Sequence, residues 1–417
     1  MKILALNCGS SSLKYQLFDW EKKEVVAVGI IERIGIEGSF IKHEVPAKDK
    51  EFKNETDIPD HKVGIQLVLD ALVKGDGAVI DSMKDIAAVG HRVVHGGEKF
   101  NHSVLIDDNV IKAIQGVSHL APLHNPANLI GIEAAMEGLP GVPQVAIFDT
   151  AFHQTMPAHA YMYAVPHEWY DKFAVRRYGF HGTSHLYVSK RAAALLGKPA
   201  KDCNIITMHI GNGVSCSAIK NGISVDTSMG LTPLEGAIMG TRSGDIDPAI
   251  PMFMQNELQV GPKEMDTLLN KKSGLLGVTG KFTDRRDILS GAEGGDEKCQ
   301  LAVDMECYNL RKYLGSYAAA LGRVDAVVFT AGVGENAGDI RQKVLEGLDC
   351  LGIDIDKEKN LNTRSKHGEV EISTPASKIK VFMIPTNEEL VFVEDVVGIL
   401  NKTYGDHMDY QYTFLEK

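Results

Sequence analysis

Three features of the sequence predict an α/β fold made of two similar halves. Strand-length apolar runs alternate with helical stretches, the pattern of sheets layered with helices. A hairpin tipped with Gly and Ser opens the chain, and a second of the same design returns about 200 residues later, each heading a segment of domain size. The length of 417 residues suffices for two or three domains with ample cores.

The first hairpin places Lys2-Ile3-Leu4-Ala5-Leu6 and Leu13-Lys14-Tyr15-Gln16-Leu17-Phe18 on either side of Asn7-Cys8-Gly9-Ser10-Ser11-Ser12. Such a tip lets backbone N–H groups and hydroxyls converge with little steric cost, and Lys14 adds a cation, which suits a phosphate group. A strand at 24–31 and a polar surface loop at 46–59 follow. Val63, Leu67, Val68 and Leu72 recur at helical spacing over 61–74, and Gly75 stops that helix. Residues 85–97 form a buried strand running into a Gly-rich loop. Helices are expected at 107–115 and 125–137, the second capped by Asn125 with Pro126 in its first turn. The strand at 143–149 ends in a carboxylate, Asp149.

In the second half, a helix at 183–196 precedes the second hairpin, where Asn204-Ile205-Ile206-Thr207-Met208-His209-Ile210 meets Gly211-Asn212-Gly213 and Val214-Ser215-Cys216-Ser217-Ala218-Ile219 leaves it. Two hairpins of this kind predict one phosphate loop from each half, gripping a nucleotide in a cleft between the halves. A strand at 223–227 and a long helix at 296–321 come next. The strand at 324–330 breaks at a Gly turn, Gly332-Val333-Gly334, and feeds a helix through residue 346; such a turn at a strand's C-terminal end is where α/β sheets place ligands. A last strand at 378–385 leads into Asn387-Glu388-Glu389 and a final helix to residue 400, expected to pack back on the first half.

Composition narrows the function. Hydrophobic residues make up 44% and charged residues 24%, as in ordinary soluble proteins. A net charge of -11 argues against general nucleic-acid or anionic-membrane binding, so an anion site must be a local cluster of Arg, His and Lys. Cys8, Cys203, Cys216, Cys299, Cys307 and Cys350 show no Cys-x-x-Cys spacing, which fits reduced thiols in the cytoplasm. No apolar run approaches the ~20 residues of a membrane span. The four apolar residues before Asn7-Cys8 are too few for a signal peptide.

Familiar signatures are missing. There is no Gly-x-x-x-x-Gly-Lys-Ser/Thr, no complete dinucleotide fingerprint, no protein-kinase motif set and no Gly-x-Ser-x-Gly elbow. His91/His95 and His181/His185 have the i,i+4 spacing of metal ligands, but neither pair sits in a His-Glu-x-x-His pattern.

Taken together, Asn7-Cys8-Gly9-Ser10-Ser11-Ser12-Leu13-Lys14, Gly90-His91-Arg92-Val93-Val94-His95-Gly96-Gly97, His119-Leu120-Ala121-Pro122-Leu123-His124-Asn125-Pro126, Phe148-Asp149-Thr150-Ala151-Phe152-His153, Arg177-Tyr178-Gly179-Phe180-His181-Gly182-Thr183-Ser184-His185 and His209-Ile210-Gly211-Asn212-Gly213 resemble the acetate kinase family. Asp226-Thr227-Ser228-Met229-Gly230, Gly240-Thr241-Arg242-Ser243-Gly244-Asp245 and Thr386-Asn387-Glu388-Glu389 extend the resemblance along the whole chain. One departure stands out: Ala331 opens Ala-Gly-Val-Gly-Glu-Asn where the family usually has Gly.

The resemblance implies a duplicated two-domain actin-like ATPase (ribonuclease H-like) fold. Residues 1–150 with 386–417 would form one domain and 151–385 the other, as a cytoplasmic homodimer. It implies reversible, Mg2+-dependent (or Mn2+-dependent) transfer from ATP to acetate, giving acetyl phosphate and ADP. Arg92 would bind the carboxylate, with Val94, Leu123, Phe180 and Pro233 around the methyl group. His181 and Arg242 would stabilise the moving phosphoryl group, and Asp149 is the acid/base candidate. Lys14, the run His209, Ile210, Gly211, Asn212 and Gly213, the trio Asp284, Arg285 and Arg286, and the run Gly332, Val333, Gly334, Glu335 and Asn336 would hold the nucleotide. Asn7 and Glu388 would hold the metal.

The chemistry explains these residue types. A short carboxylic acid with a pKa near 4 is already ionised at neutral pH, so its oxygen attacks phosphorus without a general base. The obstacle is repulsion between anions. Two unit charges at 4 Å interact by ~4 kcal/mol at an effective dielectric of 20, so several positioned cations are needed. On the same reasoning Asp149 is expected to orient substrate or hold magnesium through water. A propionate or butyrate kinase is the near alternative, since one methylene changes selectivity by only ~1 to 3 kcal/mol. A nucleotide-driven switch is the remote one.

Overall fold

The computed structural model describes residues 1–122 and 124–416. They divide into two compact units, Met1–Phe152 with Asn387–Thr413, and His153–Thr386 with the residues after Thr413.

In the first unit, β1 (Lys2–Cys8), β2 (Ser12–Asp19), β3 (Glu24–Glu32), β4 (Phe40–Val45) and β5 (Lys50–Glu55) form an antiparallel run. Then come α1 (His61–Val73), β6 (Ile86–Val93), β7 (Val104–Leu105), α2 (Asp108–Gly116), α3 (Asn125–Gly138) and β8 (Gln144–Phe148). The sheet order is β5-β4-β3-β2-β1-β6-β8-β7, with β6 parallel to both β1 and β8. Alternation along β1 serves two faces. Leu4 and Leu6 pack with Ile65, Val68, Leu69 and Leu72 of α1, while Ile3 and Ala5 turn to the opposite side.

Two expectations need correction here. Residues 46–59 are not simply a loop, because they contain β5, whose side chains are exposed at nearly every position. Backbone pairing to β4 makes this edge strand, so hydrophobic periodicity has nothing to read. Asn125 does not cap α3: His124 holds that position, and the Asn125 side chain instead bonds both the N–H and the C=O of His95, at 3.1 and 2.9 Å.

The second unit begins with α4 (Ala158–Tyr161), α5 (Glu168–Phe173) and α6 (Gly182–Leu195), followed by β9 (Asn204–Ile210), β10 (Val214–Lys220) and β11 (Ile223–Thr227). Helices α7 (Ala249–Leu258), α8 (Pro262–Lys271), α9 (Gly274–Thr279), α10 (Arg285–Glu293) and α11 (Glu297–Leu321) come next. The Asp296 side chain starts α11 by accepting from the Lys298 and Cys299 N–H groups. The unit closes with β12 (Ala326–Thr330), α12 (Ala331–Asn336), α13 (Gly338–Leu345), α14 (Lys357–Asn362), β13 (Val370–Glu371) and β14 (Lys380–Met383).

Its sheet order is β11-β10-β9-β12-β14-β13, with β9, β12 and β14 parallel. Five strands of each sheet match in order and direction: β3-β2-β1-β6-β8 against β11-β10-β9-β12-β14. The duplication expected from two similar hairpins is therefore present in the sheets. The Gly332 region differs from expectation, since it forms the short helix α12 rather than an open turn.

The chain then returns to the first unit as α15 (Glu388–Leu400), capped by the Asn387 side chain accepting from the Leu390 N–H. Phe392, Val393, Val396 and Val397 cover the sheet face formed by Ile3, Ala5, Ala88, Val145 and Ile147. Burying such side chains is worth ~1.5 to 3 kcal/mol each. The tail is fastened to the same helix: Glu394 accepts from the Thr413 N–H and hydroxyl, and Asp395 from the Ser103 hydroxyl at 2.6 Å and the Tyr412 hydroxyl at 2.8 Å. Burial pushes the Asp395 carboxyl up to about 7 against the pull of those donors. Among the described residues, no helix is long and apolar enough to cross a membrane.

Candidate active site

In the first unit, parallel pairing puts the ends of β1, β6 and β8 side by side, so Asn7, Arg92 and Asp149 converge. The Arg92 guanidinium donates to Asp149 through Nη2 at 2.7 Å and Nε at 3.4 Å, and Nη1 reaches Asn7 Oδ1 at 3.5 Å. Asp149 is fully buried while Arg92 keeps 22% of its side chain exposed, leaving room for the guanidinium to meet a small anion. Burial opposes the charge on Arg92, but Asp149, Glu388 and Glu389 more than offset it and hold its pKa above the ordinary arginine value. Lys14 pairs with Asn7 across the hairpin and is exposed. Lys14, Asn7, Gln16 and Glu389 share the lining of a 220 Å³ pocket. Val94 is buried.

The strand ends are clamped from α3. Asn128 donates to the Cys8 carbonyl at 2.7 Å and accepts from the Val94 N–H at 3.0 Å, tying the Asn7 strand to the Arg92 strand. Sequence reading missed this residue, because only the fold brings positions 8, 94 and 128 together.

In the second unit, the turn Gly211-Asn212-Gly213 between β9 and β10 is closed by the Gly211 N–H donating to the Gly213 carbonyl at 3.0 Å. A Cβ at Gly213 would lie 3.3 Å from His181 Cε1, 3.4 Å from His181 Nε2 and 3.5 Å from Arg242 Nη1. One at Gly211 would lie 3.6 Å from His209 Nε2 and 3.8 Å from the Ala331 methyl. The two residues that flank the turn, His181 and Ala331, both have left-handed backbone, at φ 57° and 64°. Non-glycine residues rarely adopt this conformation, and it concentrates at functional sites. A glycine at position 331 would meet that φ without strain.

Arg242 donates to the Pro233 carbonyl at 3.3 Å. Among the described residues no carboxylate pairs with it, and burial lowers its pKa from the usual arginine value without removing its charge. The His181 ring stacks on His209 with centroids 4.1 Å apart, and its Nδ1 bonds Ser215 Oγ at 2.8 Å. Phe180 is buried, and its carbonyl bonds His153 Nε2 at 3.1 Å.

The Gly332–Asn336 stretch lies beside the turn but is partly committed to structure. Glu335 accepts from the Thr386 N–H at 3.1 Å, and Asn336 bonds Ser365. The buried Arg341, another residue missed in the sequence, donates to the Gly334 carbonyl at 2.8 Å. Asp284, Arg285 and Arg286 split in purpose. Arg285 forms a buried ion pair with Glu306 at 2.7 Å, which takes its guanidinium away from any ligand. Arg286 is almost fully exposed and pairs with Asp284. Leu123 lies outside the described residues. No three His, Cys, Asp or Glu side chains cluster to hold a metal unaided among the described residues.

Comparison with known proteins agrees with this layout. A family model described as the acetokinase family matches residues 2–394. The chain is 63% identical over 414 residues to the acetate kinase of Geobacter metallireducens, covering 99% of this chain and 98% of that one. Among solved structures it is similar to Porphyromonas gingivalis acetate kinase, with a TM-score of 0.92, 47% identity and coverage of 96% and 99%. A propionate kinase from Francisella tularensis is similar at a TM-score of 0.88 and 40% identity, covering 94% and 98%.

Proposed function

The chain belongs to the acetokinase family, and on that premise we propose how its residues carry phosphoryl transfer from ATP to the carboxylate of acetate. The observation that carries the reading is the convergence of His181 Nε2 and Arg242 Nη1 on the space above Gly213, 3.4 and 3.5 Å from one point. Two donors beside one place, one of them an arginine that no carboxylate pairs with among the described residues, are what the equatorial oxygens of a moving phosphoryl group require. The glycine turn leaves that place open to the phosphate chain.

In the first unit, Arg92 holds the acetate carboxylate as a charge-assisted pair. Asp149 keeps the guanidinium oriented. It removes no proton, because acetate is ionised at neutral pH and offers none. The second reading, propionate as acceptor, draws on the Francisella tularensis structure, but the acetate kinase relative above is closer, at 63% against 40% identity.

Magnesium fits the first unit's donor set, where the Asn7 amide, Asp149 and Glu388 gather near Arg92. So few protein oxygens suit a cation that keeps several waters and shares substrate phosphates, and manganese takes the same ligands. When bound, the ion supplies charge neutralisation on the phosphates. We assign the cytoplasm on the six free cysteines, five of them buried, and a homodimer on the exposed apolar face of α11 formed by Leu301, Met305 and Tyr308. A hydroxamate assay across acetate, propionate and butyrate tests the acceptor. The expected order of kcat/KM has acetate first, and a higher value for propionate overturns it.

A further inference from the structure

A line of hydrogen bonds runs from the sheet interior to the His181 ring. Thr207 Oγ1 bonds His185 Nδ1 at 2.6 Å, His185 Nε2 bonds Ser215 Oγ at 2.7 Å, and the same Ser215 Oγ bonds His181 Nδ1 at 2.8 Å. Thr207, His185 and Ser215 are all fully buried. The line offers few choices of proton order, because each hydroxyl has one hydrogen and a neutral imidazole has one N–H. His185 is neutral: burial, with His153 and His209 beside it, holds its pKa well below the ordinary histidine value.

Around His181, the charged and titratable neighbours among the described residues include the stacked His209, the Arg242 guanidinium near the same Gly213 turn, and His185 through Ser215. The Arg242 guanidinium already brings positive charge to the Gly213 turn, so the role left to the ring is that of a neutral N–H donor to phosphate. A neutral ring donates from Nε2 only when Nδ1 accepts.

Resting on the phosphoryl-transfer reading above, we propose that Thr207, His185 and Ser215 are positioning residues that hold His181 as the neutral Nε2–H tautomer. The order is then unique. The Thr207 hydroxyl donates to His185 Nδ1, His185 Nε2–H donates to Ser215 Oγ, and the Ser215 hydroxyl donates to His181 Nδ1. The His181 proton is left on Nε2, facing the Gly213 turn. No proton moves during the reaction.

The test uses the full chain labelled with ¹⁵N-histidine, with the His181 ring assigned by its loss in His181→Gln. In the unsubstituted protein at pH 8, Nδ1 is bare and Nε2 protonated. In Ser215→Ala the ring populates both tautomers, and kcat falls about tenfold at pH 8. Thr207→Val, which keeps the side-chain shape, shows the same pattern more weakly. A protonated Nδ1 in the unsubstituted protein overturns the proposal. So does a Ser215→Ala variant with unchanged tautomer. The spectra report the tautomer independently of activity, whereas full kcat in His181→Ala would remove the ring from phosphoryl transfer and leave the tautomer result standing.

Discussion

The turn between β1 and β2 and the turn between β9 and β10 occupy the same place in two sheets that share strand order and direction, yet they are furnished differently. Beside the first, an arginine is bound to a carboxylate and an amide side chain. Beside the second stands an arginine that no carboxylate pairs with among the described residues, near stacked imidazoles. Among the described residues, Gly9 bends the first turn with only Ser12 Oγ and O nearby, at 3.1 and 3.6 Å, whereas Gly213 lies against both catalytic candidates of the second unit. A duplicated backbone therefore carries a division of labour. On the proposed reading, one unit would hold a small anion and a hydrated cation, and the other would neutralise charge that moves.

The sharpest way to break this contrast is to remove each arginine. Arg242→Ala is expected to lower kcat by about 10³ with little change in KM for ATP, as for arginines that act on a transferring phosphoryl group. Steady-state kinetics with both substrates varied will show it, and a loss confined to KM for ATP would contradict the assignment. Arg92→Ala should instead act mainly through acetate, raising its KM about 10- to 100-fold. It should also lower the melting temperature, because a buried carboxylate loses its charged partner.

The glycines offer a finer test. Gly213→Ala should reduce kcat about tenfold by pushing the His181 ring back by a few tenths of an ångström. Gly9→Ala, whose neighbour is a serine hydroxyl free to rotate, should stay within twofold of the starting rate, about 0.4 kcal/mol. Equal losses at both turns would erase the distinction between the units.

The smallest expected effect concerns pH and stability within the first unit. Burial holds neutral His91 down to about 4, so the unfolded chain binds more protons between pH 4 and 6.5, and stability from this residue rises with pH by about 3 kcal/mol over that window. Asp395 works in the opposite sense. Its carboxyl, raised to about 7, loses stability as the pH climbs from about 4 to 7. The two largely cancel. Urea unfolding of Asp395→Asn across pH 4 to 6.5 should therefore show a steeper rise with pH than the unsubstituted protein; an equal slope would mean that Asp395 is ionised throughout.

What could be read from the chain followed physical lines. The hairpins, the parallel strands ending at Arg92 and Asp149, and the long helix after Asp296 were legible because periodicity, glycine tips and capping residues are local signals. β5 was not, since an exposed edge strand carries no apolar alternation. The His181/His185 pair showed its helical spacing, but spacing alone does not say that Ser215 lies between the two rings, thirty residues further on. Likewise Arg285 reads as a free cation until the fold sets Glu306 against it. Asn125 and Asn128 look like an ordinary helix start until the backbone of residues 94 and 95 is placed beside them.

The return of α15 to the first unit has a consequence for how the protein is made. The face carrying Ile3, Ala5 and Val145 is synthesised early, but the helix that shields it from water follows more than 200 residues after Val145. On the ribosome this half waits, greasy and unfinished, while the other is completed, so premature termination before Glu388 should yield chains that seek chaperones rather than a smaller working domain.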